Sequence, residues 1–322
     1  MSRRRRSTPA GSATAGDRQP DGKEPLMRIL VNTPAGNIGR GLVDLILSAG
    51  HQVTMISRHP GKVADFVERG ARLVEGSIDD PAVLEAAMPG VDVLYWLPPL
   101  VLDQPDFLAW ARACGDRVAG VAEAAGVRRA VLLSSVGAQH DEGVGPIACL
   151  PAIERRFRET FPDMVSLRPG HFMENFLMSL PTMLSDGAIY SSHAADQPIP
   201  MIATRDIARV SAGVAMDEVW AGHHVIGLHG PADVSYREAA RTIGQVLGLP
   251  IRYVEIGDEA MVHAMASFGM PERMARLVSE LYAGIRAGRV RRVEPRTATP
   301  TTLAEFARER LLPTLSAAWL PM

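Results

Sequence analysis

Between residues 27 and 167, short apolar runs alternate with stretches of helical character, and no other feature of the chain restricts its fold so strongly. Strands are predicted at 28–31, 52–57, 72–74, 92–96, 130–134 and 164–167. Helices are predicted at 36–49, at 61–68, after Pro81 and at 107–125. Strands this apolar cannot leave one face in water, and the helices between them supply the crossovers of βαβ units. The expectation is an α/β fold built on a doubly wound parallel sheet with helices on both faces.

After the Arg168-Pro169-Gly170 break the rhythm loosens. Helices are predicted at 174–184, 204–215, 259–268 and 271–287, and strands at 224–228 and 252–256. Ser235 with Glu238, and Thr302 with Glu305, have the spacing of capping boxes, where hydroxyl and carboxylate satisfy each other's backbone N–H groups. Residues 171–322 are read as a smaller, mostly helical substrate lobe with segments returning to the sheet. It completes a cleft over the carboxyl ends of the strands, where open α/β sheets bind ligands.

Residues 1–26 hold six basic and three acidic side chains, so a formal net charge of −2 for the whole chain leaves −5 on the rest. An acidic body gives no reason to expect nucleic-acid binding. Arg3 to Arg6 lie among Ser, Thr, Ala, Gly and Pro, which offer nothing to bury, so 1–26 is expected to be a disordered tail. No apolar run follows these arginines as a signal peptide requires, and none reaches the ~18 residues of a membrane span. Cys114 and Cys149 are the only cysteines, too few for a disulfide framework, and a reducing cytoplasm is the expected location. His223 and His224 lack a third ligand at metal spacing, so no metal is expected.

The stretch ILVNTPAGNIGR at 29–40 runs from the first strand through a turn into the first helix. Such a turn can cradle phosphate, because the helix N–H groups point at the anion and glycine lets the backbone approach. Gly36 and Gly39 are present, but Pro34 stands where a Gly-x-Gly-x-x-Gly loop would have its first glycine, and it removes a donor. Coming after the first strand of a βαβ series, the loop is read as a variant dinucleotide site, residues 27–170 forming the binding domain.

VNTPAGNIGR resembles the phosphate loop of the NmrA-like family, the atypical short-chain dehydrogenase/reductases. The similarity continues in LLSSVGA (132–138), LRPGHFMENFL (167–177), ATRDIARV (203–210), SYREAARTIGQVLGLPIRYV (235–254) and TPTTLAEFARER (299–310). This resemblance implies a Rossmann fold, with Thr33, Pro34, Ala35, Gly36, Asn37, Ile38 and Gly39 forming the cofactor loop. Arg58, which follows the second strand, is expected to bind the 2′-phosphate of NADP with help from Lys62 and His59, where a carboxylate would favour NAD.

No Tyr-x-x-x-Lys occurs in the chain, and its two lysines, Lys23 and Lys62, precede the third strand. Many relatives carry a lysine four residues before a helix glutamate; matching that glutamate to Glu154 puts Leu150 in the lysine's place. Candidate catalytic residues are then His171, His140, Ser134 and Ser135, with Glu174 and Asn175 read as structural. Trp96 is expected beside the cofactor, and Trp96, Leu97, Pro98, Pro99, Phe172, Met173 and Phe176 are expected to line an apolar pocket. The implied function is an NAD(P)H-dependent reductase of a quinone, an enone or another conjugated carbonyl. The alternative is a non-catalytic NADP-binding regulatory sensor. The expected partner is a small organic substrate, with no nucleic acid or membrane, and a homodimer is left open.

Overall fold

The computed structural model describes residues 26–319. The expected tail at 1–26 therefore lies outside the described residues, save for Leu26. The first half alternates as the apolar runs predict. It consists of β1 (Arg28–Val31), α1 (Asn37–Ser48), β2 (Gln52–Ser57), α2 (Ala64–Glu68), β3 (Arg72–Glu75) and α3 (Pro81–Ala87), then β4 (Val93–Trp96), α4 (Phe107–Ala124), β5 (Arg129–Leu133), α5 (Leu150–Thr160) and β6 (Asp163–Pro169).

Beyond the break come β7 (His171–Phe172), α6 (Leu180–Asp186), β8 (Ala188–Ser191), β9 (Ile199–Ile202), α7 (Thr204–Met216) and β10 (His223–His229). The chain then runs through β11 (Asp233–Val234), α8 (Tyr236–Leu247), β12 (Arg252–Glu255), α9 (Asp258–Ser267) and α10 (Glu272–Arg286). It ends in β13 (Arg296–Ala298), α11 (Leu303–Phe306) and α12 (Leu312–Trp319).

Eight strands form one parallel sheet in the order β13-β10-β6-β5-β4-β1-β2-β3. Strand order reverses between β1 and β4, which opens a crevice at their carboxyl ends. Successive strand residues face opposite ways. Leu30, Leu94, Trp96 and Leu132 pack with Val118, Ile153 and Phe157 of α4 and α5. Ile29, Val31, Tyr95 and Val131 pack with Leu42, Ile46 and Ile207 of α1 and α7.

A third core joins Met183, Ile189, Tyr236, Ile243 and Phe306, all beyond the break, to Val136, Val144 and Ala148 before it. Both predicted capping boxes are present, and Gly248 closes α8 in the left-handed region at φ 67°. The predicted strand β12 lies outside the main sheet and pairs with β8, while β11, β9 and β7 form a sheet of three. The lobe is thus helices plus two small sheets, and β10 and β13 return to the main one. No helix among the described residues is long and apolar enough to cross a membrane.

Candidate active site

A groove of about 440 Å³ follows the carboxyl ends of β1, β2 and β3, lined by Asn32 to Gly36, Ile56 to His59, Gly76 to Asp79 and Pro99 to Gln104. Asn32 fixes its floor. The side-chain amide donates to the Leu97 carbonyl at 2.8 Å, and the Leu97 N–H donates to Asn32 Oδ1 at 2.9 Å. The loops after β1 and β4 are thereby clamped side by side.

The two loop glycines do different jobs. A Cβ on Gly39 would lie 1.8 Å from the Thr33 carbonyl oxygen, so the turn itself demands glycine there. A Cβ on Gly36 would meet that oxygen at 3.6 Å, an ordinary contact, and φ is −77°. The fold has no need of glycine at 36; the room it leaves faces the groove. No side chain caps the first turn of α1, and the buried Thr33 hydroxyl has no hydrogen-bond partner.

Of the predicted loop residues, Thr33, Pro34, Ala35 and Gly36 line the groove, while Asn37, Ile38 and Gly39 form the first turn of α1 behind it. Arg58 and His59 border the groove too, and the Arg58 guanidinium makes no ion pair or hydrogen bond among the described residues. Lys62 lies on the next turn, outside the lining; its carbonyl accepts from Arg40 Nη1 at 2.8 Å. Trp96 reaches no cavity. As the last residue of β4 it turns toward α4 and α5 and is fully buried in their core, whereas Leu97, one residue on, faces the ligand side.

A second cavity, of about 430 Å³, lies between the sheet and the lobe. Leu100 lines both cavities, so the loop after β4 is their shared wall. Leu97, Pro98, Phe172, Phe176, Met261 and Tyr282 are among its apolar walls. Of the other residues expected here, Pro99 belongs to the groove and Met173 is buried in the lobe core. Leu150 lines this cavity, so the position matched to the relatives' lysine does face it, and it carries no titratable group.

Ser134 and Ser135 both border the cavity. The Ser134 hydroxyl donates to Glu154 Oε1 at 2.7 Å, inside a buried network where Arg168 Nη2 and Arg158 Nη2 reach Glu154 Oε2 at 2.7 and 2.9 Å. The Ser135 hydroxyl donates to the Val136 carbonyl at 3.1 Å. Glu174 is structural: its oxygens accept from the Thr204 N–H at 3.0 Å and from the Thr204 hydroxyl at 2.6 Å, fixing the start of α7. His140 does not reach the cavity; its backbone N–H closes a turn on Gly137 instead.

His171 does border the cavity, but burial pushes it down to about 4, so the ring is neutral at pH 7. Its Nε2 meets the Tyr236 hydroxyl at 3.0 Å and Asn175 Nδ2 at 3.3 Å. Around it stand Tyr236, His193, Tyr253 and Tyr282, with His193 stacked on Tyr236 at 4.4 Å between ring centres. This aromatic group was not read from the sequence. Its one signal is that Tyr190, Tyr236, Tyr253 and Tyr282, four of five tyrosines, fall in the lobe. Among the described residues no group of three or more His, Cys, Asp or Glu is placed to hold a metal ion.

The model of the NmrA-like family matches residues 26–306, nearly the whole described chain. The chain belongs to the NmrA-like family. The NAD(P)H azoreductase of Xenophilus azovorans is 30% identical over 285 residues, covering 87% of this chain and 96% of that protein. In solved structures the fold matches an NADPH-dependent quinone oxidoreductase from Escherichia coli, complexed with NADPH, with TM-score 0.76, 22% identity and coverage of 88% and 100% of the two chains. It also matches a Citrobacter sp. triphenylmethane reductase, with TM-score 0.76, 19% identity and coverage of 89% and 100%. The departures of this NmrA-like chain at Thr33, Pro34 and Ala35 therefore sit on an intact loop geometry, because Gly39 and the Asn32 clamp are in place.

Proposed function

We propose that this protein is an NADPH-dependent reductase that passes hydride to a flat, conjugated organic acceptor, such as a quinone, an enone or an azo compound. The observation that carries the reading is the meeting, at Leu100, of a groove shaped for a dinucleotide and an apolar cavity sized for a ring system. The groove fits that cofactor: the α1 N-terminus is uncapped, the Thr33 hydroxyl is orphaned, and Gly36 leaves space its own fold does not use. The free Arg58 guanidinium supports NADPH over NADH, since it suits a 2′-phosphate. The names of the azoreductase and quinone oxidoreductase relatives agree with this class. On this reading residues 27–170 hold the cofactor and the lobe closes over the substrate.

NADPH, when bound, supplies the hydride. The apolar walls exclude water and hold the acceptor's ring plane. None of the candidate acids is charged at neutral pH: position 150 is leucine, the Ser134 proton points at Glu154, His171 is neutral, and burial pushes Tyr282, which also lines the cavity, up to about 12. Acceptors whose reduced form takes its proton from water suit such a site. The bare wall at Leu150 also favours a second reading, a non-catalytic NADP-binding sensor. Following NADPH and NADH oxidation across quinones, aryl enones and azo dyes, with saturated ketones as controls, separates the two. A reductase consumes NADPH with the conjugated acceptors and spares the ketones; a sensor binds NADPH and consumes none.

A further inference from the structure

The polar end of the cavity is built as a row. His193 is buried, and its Nδ1 lies 2.8 Å from the Ser191 hydroxyl, while its Nε2 is sealed from solvent with no partner. His193 also stacks on Tyr236 with 4.4 Å between ring centres, and so holds the Tyr236 ring in place beside His171. Asn175 Nδ2 lies 3.3 Å from His171 Nε2, and because an amide nitrogen only donates, Nε2 is the acceptor there; the Tyr236 hydroxyl, 3.0 Å from the same atom, donates to it too.

With two donors on Nε2, the remaining proton of His171 belongs on Nδ1. That atom has no partner among the described residues and is not sealed from solvent, and His171 is part of the cavity lining. We propose that Tyr236 and His171 form one directed row of hydrogen bonds, seconded by Asn175, that holds the His171 proton on Nδ1 and offers that N–H to a hydrogen-bond acceptor on the substrate. Tyr236 and Asn175 are positioning residues, with His193 stacked behind Tyr236; His171 is the one that touches substrate. The site thus selects, among flat apolar molecules, those with a carbonyl or similar acceptor at the lobe end. The row deepens the reading of this cavity as a substrate site and rests on it.

Two measurements test the row without requiring turnover. The ring ¹⁵N spectrum of His171 in the full chain at pH 7 should show a protonated Nδ1 and an unprotonated Nε2. In Tyr236→Phe, and more fully in Tyr236→Phe combined with Asn175→Ala, that pattern should give way to a mixture of tautomers. Calorimetry with oxidised NADP, which cannot react, should show 1,4-naphthoquinone binding at least tenfold more tightly than naphthalene. That ratio should fall severalfold in Tyr236→Phe and vanish in His171→Phe, while NADP affinity stays unchanged. A wild-type ring protonated on Nε2, or a binding ratio that stays within twofold in both variants, overturns the proposal. Failure of the reductase reading is seen separately, as an intact ¹⁵N pattern in a protein that consumes no NADPH.

Discussion

Ser134 Oγ donates to Glu154 Oε1 at 2.7 Å, and this bond turns a cavity-lining hydroxyl into part of the frame. Glu154 is nearly sealed and also holds Arg168, whose Nη1 pairs with Glu294. A buried pair of this kind adds little net stability, because desolvation offsets its attraction, yet costs much to break, because the surviving charge stays buried. Ser134→Ala should lower stability by about 1–2 kcal/mol, the loss of one hydrogen bond to a buried carboxylate oxygen that keeps Arg168 Nε at 3.0 Å, and leave kcat within twofold. Glu154→Leu should cost about 3–5 kcal/mol. Denaturant melts beside steady-state rates check both; a large kcat loss in a Ser134→Ala protein of normal stability would return Ser134 to the chemistry.

The two loop glycines separate folding from binding. Gly36→Ala should keep the melting temperature within a few degrees, since its Cβ meets only ordinary contact, yet weaken NADPH at least tenfold by filling the groove. Gly39→Ala forces the loop backbone to move and should destabilise by about 1–3 kcal/mol or more. If Gly36→Ala binds NADPH like wild type, the space at that position serves no ligand.

Arg58→Ala should weaken NADPH by roughly 1.5–3 kcal/mol, the range for hydrogen bonds to a charged group, and leave NADH unchanged. Calorimetry with both cofactors decides it, and equal losses would remove Arg58 from phosphate recognition.

The buried histidines give a stability profile with a definite sign. Burial lowers His171 and His229 to about 4 and His193 to about 2. Near pH 6.5 and below, the unfolded chain takes up protons that the folded chain refuses, so stability is fully present above that pH and is lost as pH falls toward 4. Each such group contributes at most about 1.4 kcal/mol per pH unit in that window. Melting curves from pH 8 to 4.5 should be flat at first and then fall, and the fall should be shallower in His171→Gln. The kcat profile should carry no His171 inflection between pH 6 and 8, since the ring is already neutral there.

The main sheet was legible because its strands are buried on both faces and read as apolar runs between helices. β8, β9 and β13 were not separated from loops: each has three or four residues, and β13, Arg-Thr-Ala, is an exposed edge with no apolar pattern. The loop at 33–36 was legible because a phosphate cradle is local in sequence. Trp96 was misplaced by a single step of strand alternation, which sent it to the helix side and Leu97 to the cavity. The row ending at His171 was out of reach, since His171 and Tyr236 lie 65 residues apart and only the lobe's packing brings them together.

The central claim is hydride transfer from NADPH to a conjugated acceptor in the cavity beside Leu100, and isotope transfer tests it most directly. The protein is incubated with the aryl enone chalcone and NADPH deuterated at the transferable positions of its nicotinamide, and the product is examined by mass spectrometry. The expected result is one deuterium on carbon in the saturated ketone, formed in step with NADPH consumed, and far less product when NADH of the same labelling replaces it. Tight NADPH binding with no deuterated product from chalcone, and no NADPH consumed with quinones or azo dyes, would contradict the account and leave a dinucleotide sensor.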